Sequence, residues 1–187
     1  MEIVPKYLTR YFKAGEDPFI SLNDLPLHEA NVLKRKHCEN YRIGGFYAED
    51  EYLEQRQNIE RWIYRQLLQK GGNPTSRVPV YMILGDSPSG EYDIRADIQK
   101  DAAELRIPIE VLDLAAITFT FPDSMYKLTL DENGNILDDD RTNTPIVYMY
   151  DEIEAVMRKY ERFLDVYYVE AQVWNREMLY RYYNSMG

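Results

Sequence analysis

Apolar positions along the chain fall into two periods. Residues 21–38, "SLNDLPLHEANVLKRKHC", place Leu27, Ala30, Leu33 and His37 at helical spacing. Polar starters precede them, and Pro26 stands where a first helical turn tolerates proline. Gly44 and Gly45 follow as a loop. Residues 48–70, "AEDEYLEQRQNIERWIYRQLLQK", predict the longest helix. Acids crowd its start, a lysine ends it and Gly71-Gly72 stops it. Its stripe runs Tyr52, Ile59, Ile63, Leu67, with Trp62 alongside. Arg56 falls inside that stripe, and Glu60 lies four residues on, within ion-pair reach. On this reading the N-terminal third is helical throughout.

From residue 78 the period changes. "VPVYMILG", "AELRIPI", "AITFTF" and "PIVYMY" read as short buried strands. Residues 91–105 fit either period, and a short helix is the reading adopted. "YKLTLDENGNIL" predicts a hairpin, because Asn133-Gly134 accepts the positive φ of a tight turn. Asp151 opens a helix with Glu154 placed as in a capping box, and its stripe is Ile153, Val156, Met157, Tyr160 and Phe163. In "DVYYVEAQVW" Tyr167, Val169, Ala171 and Val173 alternate as one buried strand face. Asn175 caps a last helix bearing Met178, Leu179, Tyr182 and Tyr183. The expected class is α+β: N-terminal helices packed on a mostly antiparallel sheet, with one or two late helices. One domain is expected over 1–187, helical to about residue 72 and sheet-rich from about 78.

Composition narrows the functions. The formal net charge is -10, which argues against a nucleic-acid partner, because such binding neutralises phosphates with Lys and Arg. The Lys34-Arg35-Lys36 run reads as a solvated helix end. One cysteine and two histidines cannot form a cysteine/histidine zinc cluster or an internal disulfide. A cytoplasmic setting, no membrane and no cofactor are the expectations. The 17 tyrosines suit half-buried positions and interfaces.

The loop after the first strand, "VYMILGDSPSG" (80–90), invites chemistry. Gly85 and Gly90 have P-loop spacing, but Glu91 and Tyr92 stand where Lys and Ser or Thr should meet phosphates and magnesium. Asp86 adds a further negative charge. Gly85-Asp86-Ser87 after a strand resembles the first block of the GDS-type lipases and esterases, which would make Ser87 a nucleophile. That family keeps its catalytic histidine near the C-terminus, whereas here His28 and His37 both precede the serine. The resemblance covers three residues, and a strand followed by a turn is the stronger reading. Asp131 to Thr142 lacks the sixth-position glycine and twelfth-position glutamate of a calcium loop, so Asp138, Asp139 and Asp140 read as a solvated turn and no metal is expected. His37 and Cys38 are neighbours on a helix and do not face each other.

The remaining candidates are Arg56, Glu60, Asp86 and Asp123 for catalysis, Tyr52 and Arg56 for ligand binding, and Ser124 and Glu170 as polar residues at strand ends. Two functions follow. The first is a non-catalytic protein-interaction or regulatory module whose partner is another protein. The alternative is a small enzyme or anionic-ligand-binding protein, of transferase or phosphodiesterase type, using arginine and carboxylates. Convergence of Arg56, Glu60, Asp86 and Asp123 in space would favour the second.

Overall fold

A computed structural model describes residues 3–41, 51–90, 93–95, 102–126, 128–130, 136–139 and 145–187. The class is α+β. Five strands form one antiparallel sheet in the order β3-β1-β2-β7-β4. They are β1 (Tyr7–Lys13), β2 (Val80–Leu84), β3 (Ala102–Pro108), β4 (Ile117–Thr120) and β7 (Glu170–Val173). Strands β5 (Leu128–Leu130) and β6 (Ile136–Asp139) pair separately as the expected antiparallel hairpin. Its Asn133-Gly134 turn lies outside the described residues. The helices are α1 (Leu27–Tyr41), α2 (Tyr52–Gln69), α3 (Ile153–Lys159) and α4 (Arg176–Asn184).

β1 corrects the reading of a wholly helical N-terminal third. "YLTRYFK" alternates as a strand should, but Arg10 occupies a position in phase with Leu8 and Phe12 and breaks the apolar pattern. Arg10 fits there because its Nε donates to the Pro18 carbonyl (2.7 Å) and its Nη1 to the Tyr81 carbonyl (2.9 Å). "PIVYMY" is reduced to a single bridge, Tyr148 to Phe119, before a 3-10 turn at Tyr150–Glu152. Of the short helix expected over 91–105, Ile94 and Arg95 are helical, whereas Ala102–Leu105 belong to β3; residues 91, 92 and 96–101 lie outside the described residues. Ahead of α3, Glu152 closes the 3-10 turn, its carboxylate accepting the Met149 N–H (2.7 Å); α3 itself starts without the expected Asp151 side-chain cap. Asn175 does cap α4, accepting from the Met178 N–H.

Register assigns the sheet two faces. On one, Leu8, Val80, Met82, Leu84, Leu105, Ile107, Ile117, Phe119, Ala171 and Val173 form a core with Ile153, Val156 and Met157 of α3 and Leu179 of α4. The other face carries Tyr81, Thr118, Thr120, Glu170 and Gln172, and α2 lies over it. Trp174, just past β7, packs there with Ile63 and Leu67 of α2 and with Val147.

Residues 17–24 tie the helices of the two faces together. Asn23 Nδ2 donates to Glu60 on α2 (2.6 Å), Asp24 pairs with Arg176 on α4 (2.8 Å), and Tyr180 donates to Asp17 (2.7 Å). Phe19, fully buried, meets Tyr180 and Tyr183 edge to face.

Candidate functional site

The inward stripe of α2 is Leu53, Arg56, Glu60, Ile63 and Leu67, spaced three or four residues apart. Its middle is charged, and it sits over the polar residues of β2, β4 and β7. The guanidinium of Arg56 stacks on the Tyr81 ring with its carbon 3.7 Å from the centroid. Only 14% of the Arg56 side chain is exposed, and 8% of that of Glu170, to which Arg56 is paired.

That pairing is loose. Arg56 Nη2 lies 3.6 Å from Glu170 Oε1, and Arg56 Nη1 donates to the Tyr52 hydroxyl over 3.5 Å. A close guanidinium–carboxylate contact is about 2.7–2.9 Å. These are the polar contacts of Arg56 among the described residues, so most of its N–H groups make no short bond. The partner expected from spacing, Glu60, is engaged elsewhere. Its Oε1 accepts from the Tyr81 hydroxyl (2.8 Å) and from Asn23.

Glu170 is held from behind. Its Oε2 accepts the Ser124 N–H (2.9 Å) and Gln172 Nε2 (2.9 Å). Gln172 also donates to Thr120 (3.0 Å) and accepts from Thr118 (2.9 Å), which accepts in turn from Trp174 Nε1 (2.9 Å). A hydrogen-bonded ladder thus runs from Trp174 to Glu170 across the polar face. Such a satisfied network fixes its members in place. Glu170 is aimed at Arg56 without touching it closely.

Electrostatics follow from burial. Burial opposes the charge on Arg56, but Tyr52, Tyr81, Glu170 and Glu60 outweigh it and hold the guanidinium firmly protonated. Burial raises the Glu60 carboxyl, with Arg56 and the bonds from Tyr81 and Asn23 acting against it. Burial likewise raises the phenols of Tyr52, Tyr81 and Tyr168, and the field of Asp123 and Glu170 adds to this at Tyr52 and Tyr168. Arg10 is pushed down to about 10 by burial and by the neighbouring charges of Arg56 and Arg176.

Of the four residues proposed for catalysis, Arg56 and Glu60 share this site, and Asp123 acts on its phenols. Asp123 also accepts the Met125 N–H through its side chain (2.6 Å). Asp86 stands apart. It is exposed, accepts from the Tyr7 hydroxyl (2.8 Å) and pairs with Arg106 (2.9 Å). Tyr52 joins the site as the ring hydroxyl nearest Arg56. Glu170, read from sequence only as a strand-end polar residue, supplies the counter-ion. Tyr81, Asn23 and Gln172 were not legible, because polar residues alternating with Ala171 and Val173 read as solvent-facing.

The 80–90 loop is a turn. Ser87 is buried; its hydroxyl accepts the Ile94 N–H (3.0 Å) and donates to the Pro88 carbonyl (3.4 Å), while its N–H donates to the Tyr11 hydroxyl (3.2 Å). Gly85 has φ +78°, and a Cβ there would meet Pro5 Cγ at 2.8 Å, so glycine serves turn geometry and close packing.

Of the 14 tyrosines whose burial is described, only Tyr183 is exposed. Tyrosine therefore serves mainly as half-buried packing with a tethered hydroxyl. Among the described residues no group of three or more His, Cys, Asp or Glu is placed to hold a metal ion, and no helix is long and apolar enough to cross a membrane. No protein-family model, curated protein or solved structure matches the chain.

Proposed function

We propose that the protein binds a small ligand carrying a carboxylate or phosphate, with Arg56 as its anchor. The observation that supports this is the bonding capacity of Arg56 left unspent among the described residues: a largely buried guanidinium, stacked on Tyr81, whose polar contacts there are 3.5 and 3.6 Å away. The planar fork of arginine matches an oxyanion bidentately. No reaction is assigned to the site.

The test is a thermal-shift screen against sugar phosphates, nucleotides and dicarboxylates. A ligand at a hundred times its dissociation constant adds about 2.7 kcal/mol, or about 5–10 °C for a chain of this size. The Arg56→Lys variant keeps the charge and loses the fork. A hit that vanishes in Arg56→Lys supports the reading. Silence across the panel, or a shift that survives the substitution, sinks it.

A second reading, binding of another protein, is favoured by α1. This helix buries Lys34 fully and turns Leu27, Val32 and Leu33 outward, with Val32 53% exposed. The expected stripe of Leu27, Ala30, Leu33 and His37 is thus rotated, with Ala30 and Lys34 facing in; the His37 side chain lies outside the described residues. Val32→Glu with Leu33→Glu should then leave the melting temperature unchanged and abolish partner capture; capture that persists counts against it.

A further inference from the structure

We propose that the edge of β3 left open among the described residues pairs with the β3 edge of a second copy of the chain, forming a two-fold dimer with one continuous sheet. β3 lies at the end of the sheet and hydrogen-bonds only to β1 among the described strands. Seven residues of backbone, Ala102–Pro108, make up that edge.

The direction of the free backbone groups follows from the ladder. Ile109 N–H donates to the Lys6 carbonyl (2.9 Å), in register with Leu8↔Ile107 and Arg10↔Leu105. Alternate pairs of an antiparallel ladder exchange hydrogen bonds, so Leu105 and Ile107 turn their backbone groups toward β1. On the far side of β1, Gly85 N–H donates to the Tyr7 carbonyl (3.0 Å), in register with Leu8↔Leu84. The odd residues of β1 therefore serve β2, which leaves its even residues for β3 and agrees with this assignment. The N–H and C=O of Glu104 and Arg106 consequently point away from the sheet.

An antiparallel copy centred on Leu105 sets Glu104 directly opposite the second chain's Arg106, and Arg106 opposite its Glu104. Each pair can exchange both backbone hydrogen bonds. The side chains of such pairs stand on the same face about 4.5–5.5 Å apart at Cβ, where opposite charges attract. The sequence Glu-Leu-Arg is thus complementary to itself in this register alone: a shift by two residues sets Arg106 or Glu104 opposite its own kind. Both side chains reach solvent, and within one chain Arg106 also pairs with Asp86 (2.9 Å). Arg106 is 50% and Glu104 31% exposed, and within one chain they already pair at 2.6 Å. Charges on a sheet edge ordinarily discourage association; here their order along the strand selects one partner, the same edge reversed. Pro108 lacks an N–H and marks where pairing weakens.

Sedimentation velocity and light scattering on the full chain test the proposal. The wild type should show twice the chain mass at high concentration and one chain mass on dilution. Arg106→Glu sets like charges opposite each other and should give one chain mass throughout. Glu104→Arg combined with Arg106→Glu reverses both charges, restores self-complementarity and should restore the dimer. Amide exchange reads the same edge without any substitution: protection at Glu104 and Arg106 should rise with concentration, while Leu105 and Ile107 stay protected at all concentrations. A wild type of one chain mass at all concentrations overturns the proposal, as does a dimer unaffected by Arg106→Glu or Glu104 and Arg106 amides indifferent to concentration.

Discussion

The two faces of the sheet are both covered, yet they are built from different chemistry. β7 shows this within four residues: Ala171 and Val173 enter the apolar core, while Glu170 and Gln172 enter the ladder beneath α2, and all four are buried. The apolar face gains from area removed from water, which is non-directional and tolerant of detail. The polar face gains little on balance from each hydrogen bond but loses heavily if one member is orphaned. A core therefore keeps the chain folded, and a satisfied polar face holds particular atoms where they are. Arg56, Glu60 and Glu170 are found on the face that can hold them in place.

Four experiments press on that contrast. The largest effect belongs to the apolar face. Phe119→Ala should cost about 3–5 kcal/mol in urea unfolding, because the fully buried ring leaves a cavity. No single further truncation should restore it. On the polar face, Glu170→Gln should cost about 3 kcal/mol, since Arg56 is left buried without its counter-ion. Adding Arg56→Met should bring stability back to within about 1 kcal/mol of wild type. If the double variant is as unstable as the single one, the two faces do not differ in the way described.

A pH series is the third. The Glu60 carboxyl is raised in the folded state, so the folded protein holds its proton where the unfolded chain has released it. The contribution of Glu60 to stability is thus fully present below the ordinary glutamate range and is lost as pH rises through the folded-state value. Glu60→Gln keeps an acceptor for Tyr81 and Asn23 and should flatten this fall, becoming favourable relative to wild type toward neutral pH. Parallel stability curves for the two proteins would rule the assignment out. The smallest effect is expected at Lys70–Glu152, a 2.6 Å pair whose side chains are partly exposed. Lys70→Ala should change unfolding free energy by about 0–1 kcal/mol, less so in high salt. A loss comparable with that of Glu170→Gln would erase the distinction between covered and exposed pairs.

Local periodicity and capping chemistry were enough to place α2, β2, β3, β4, β7, the β5–β6 hairpin, α4 and the buried stripe of α3, because each repeats apolar groups at its own period. Chain chemistry alone also marked Arg56 as out of place in an apolar stripe, and turn residues alone identified the 80–90 loop. Tertiary structure decided the rest. Arg10 hid β1, since an arginine can occupy an inward strand position only when distant carbonyls, those of Pro18 and Tyr81, come to meet it. Helical spacing offered Glu60 to Arg56, but folding gave Glu60 to Tyr81 and Asn23 and brought Glu170 from 114 positions away in the sequence. Nothing local distinguishes a polar strand face bathed in water from one sealed beneath a helix. That depends on what the chain folds over it, and only the packed sheet shows α2 lying on Glu170 and Gln172.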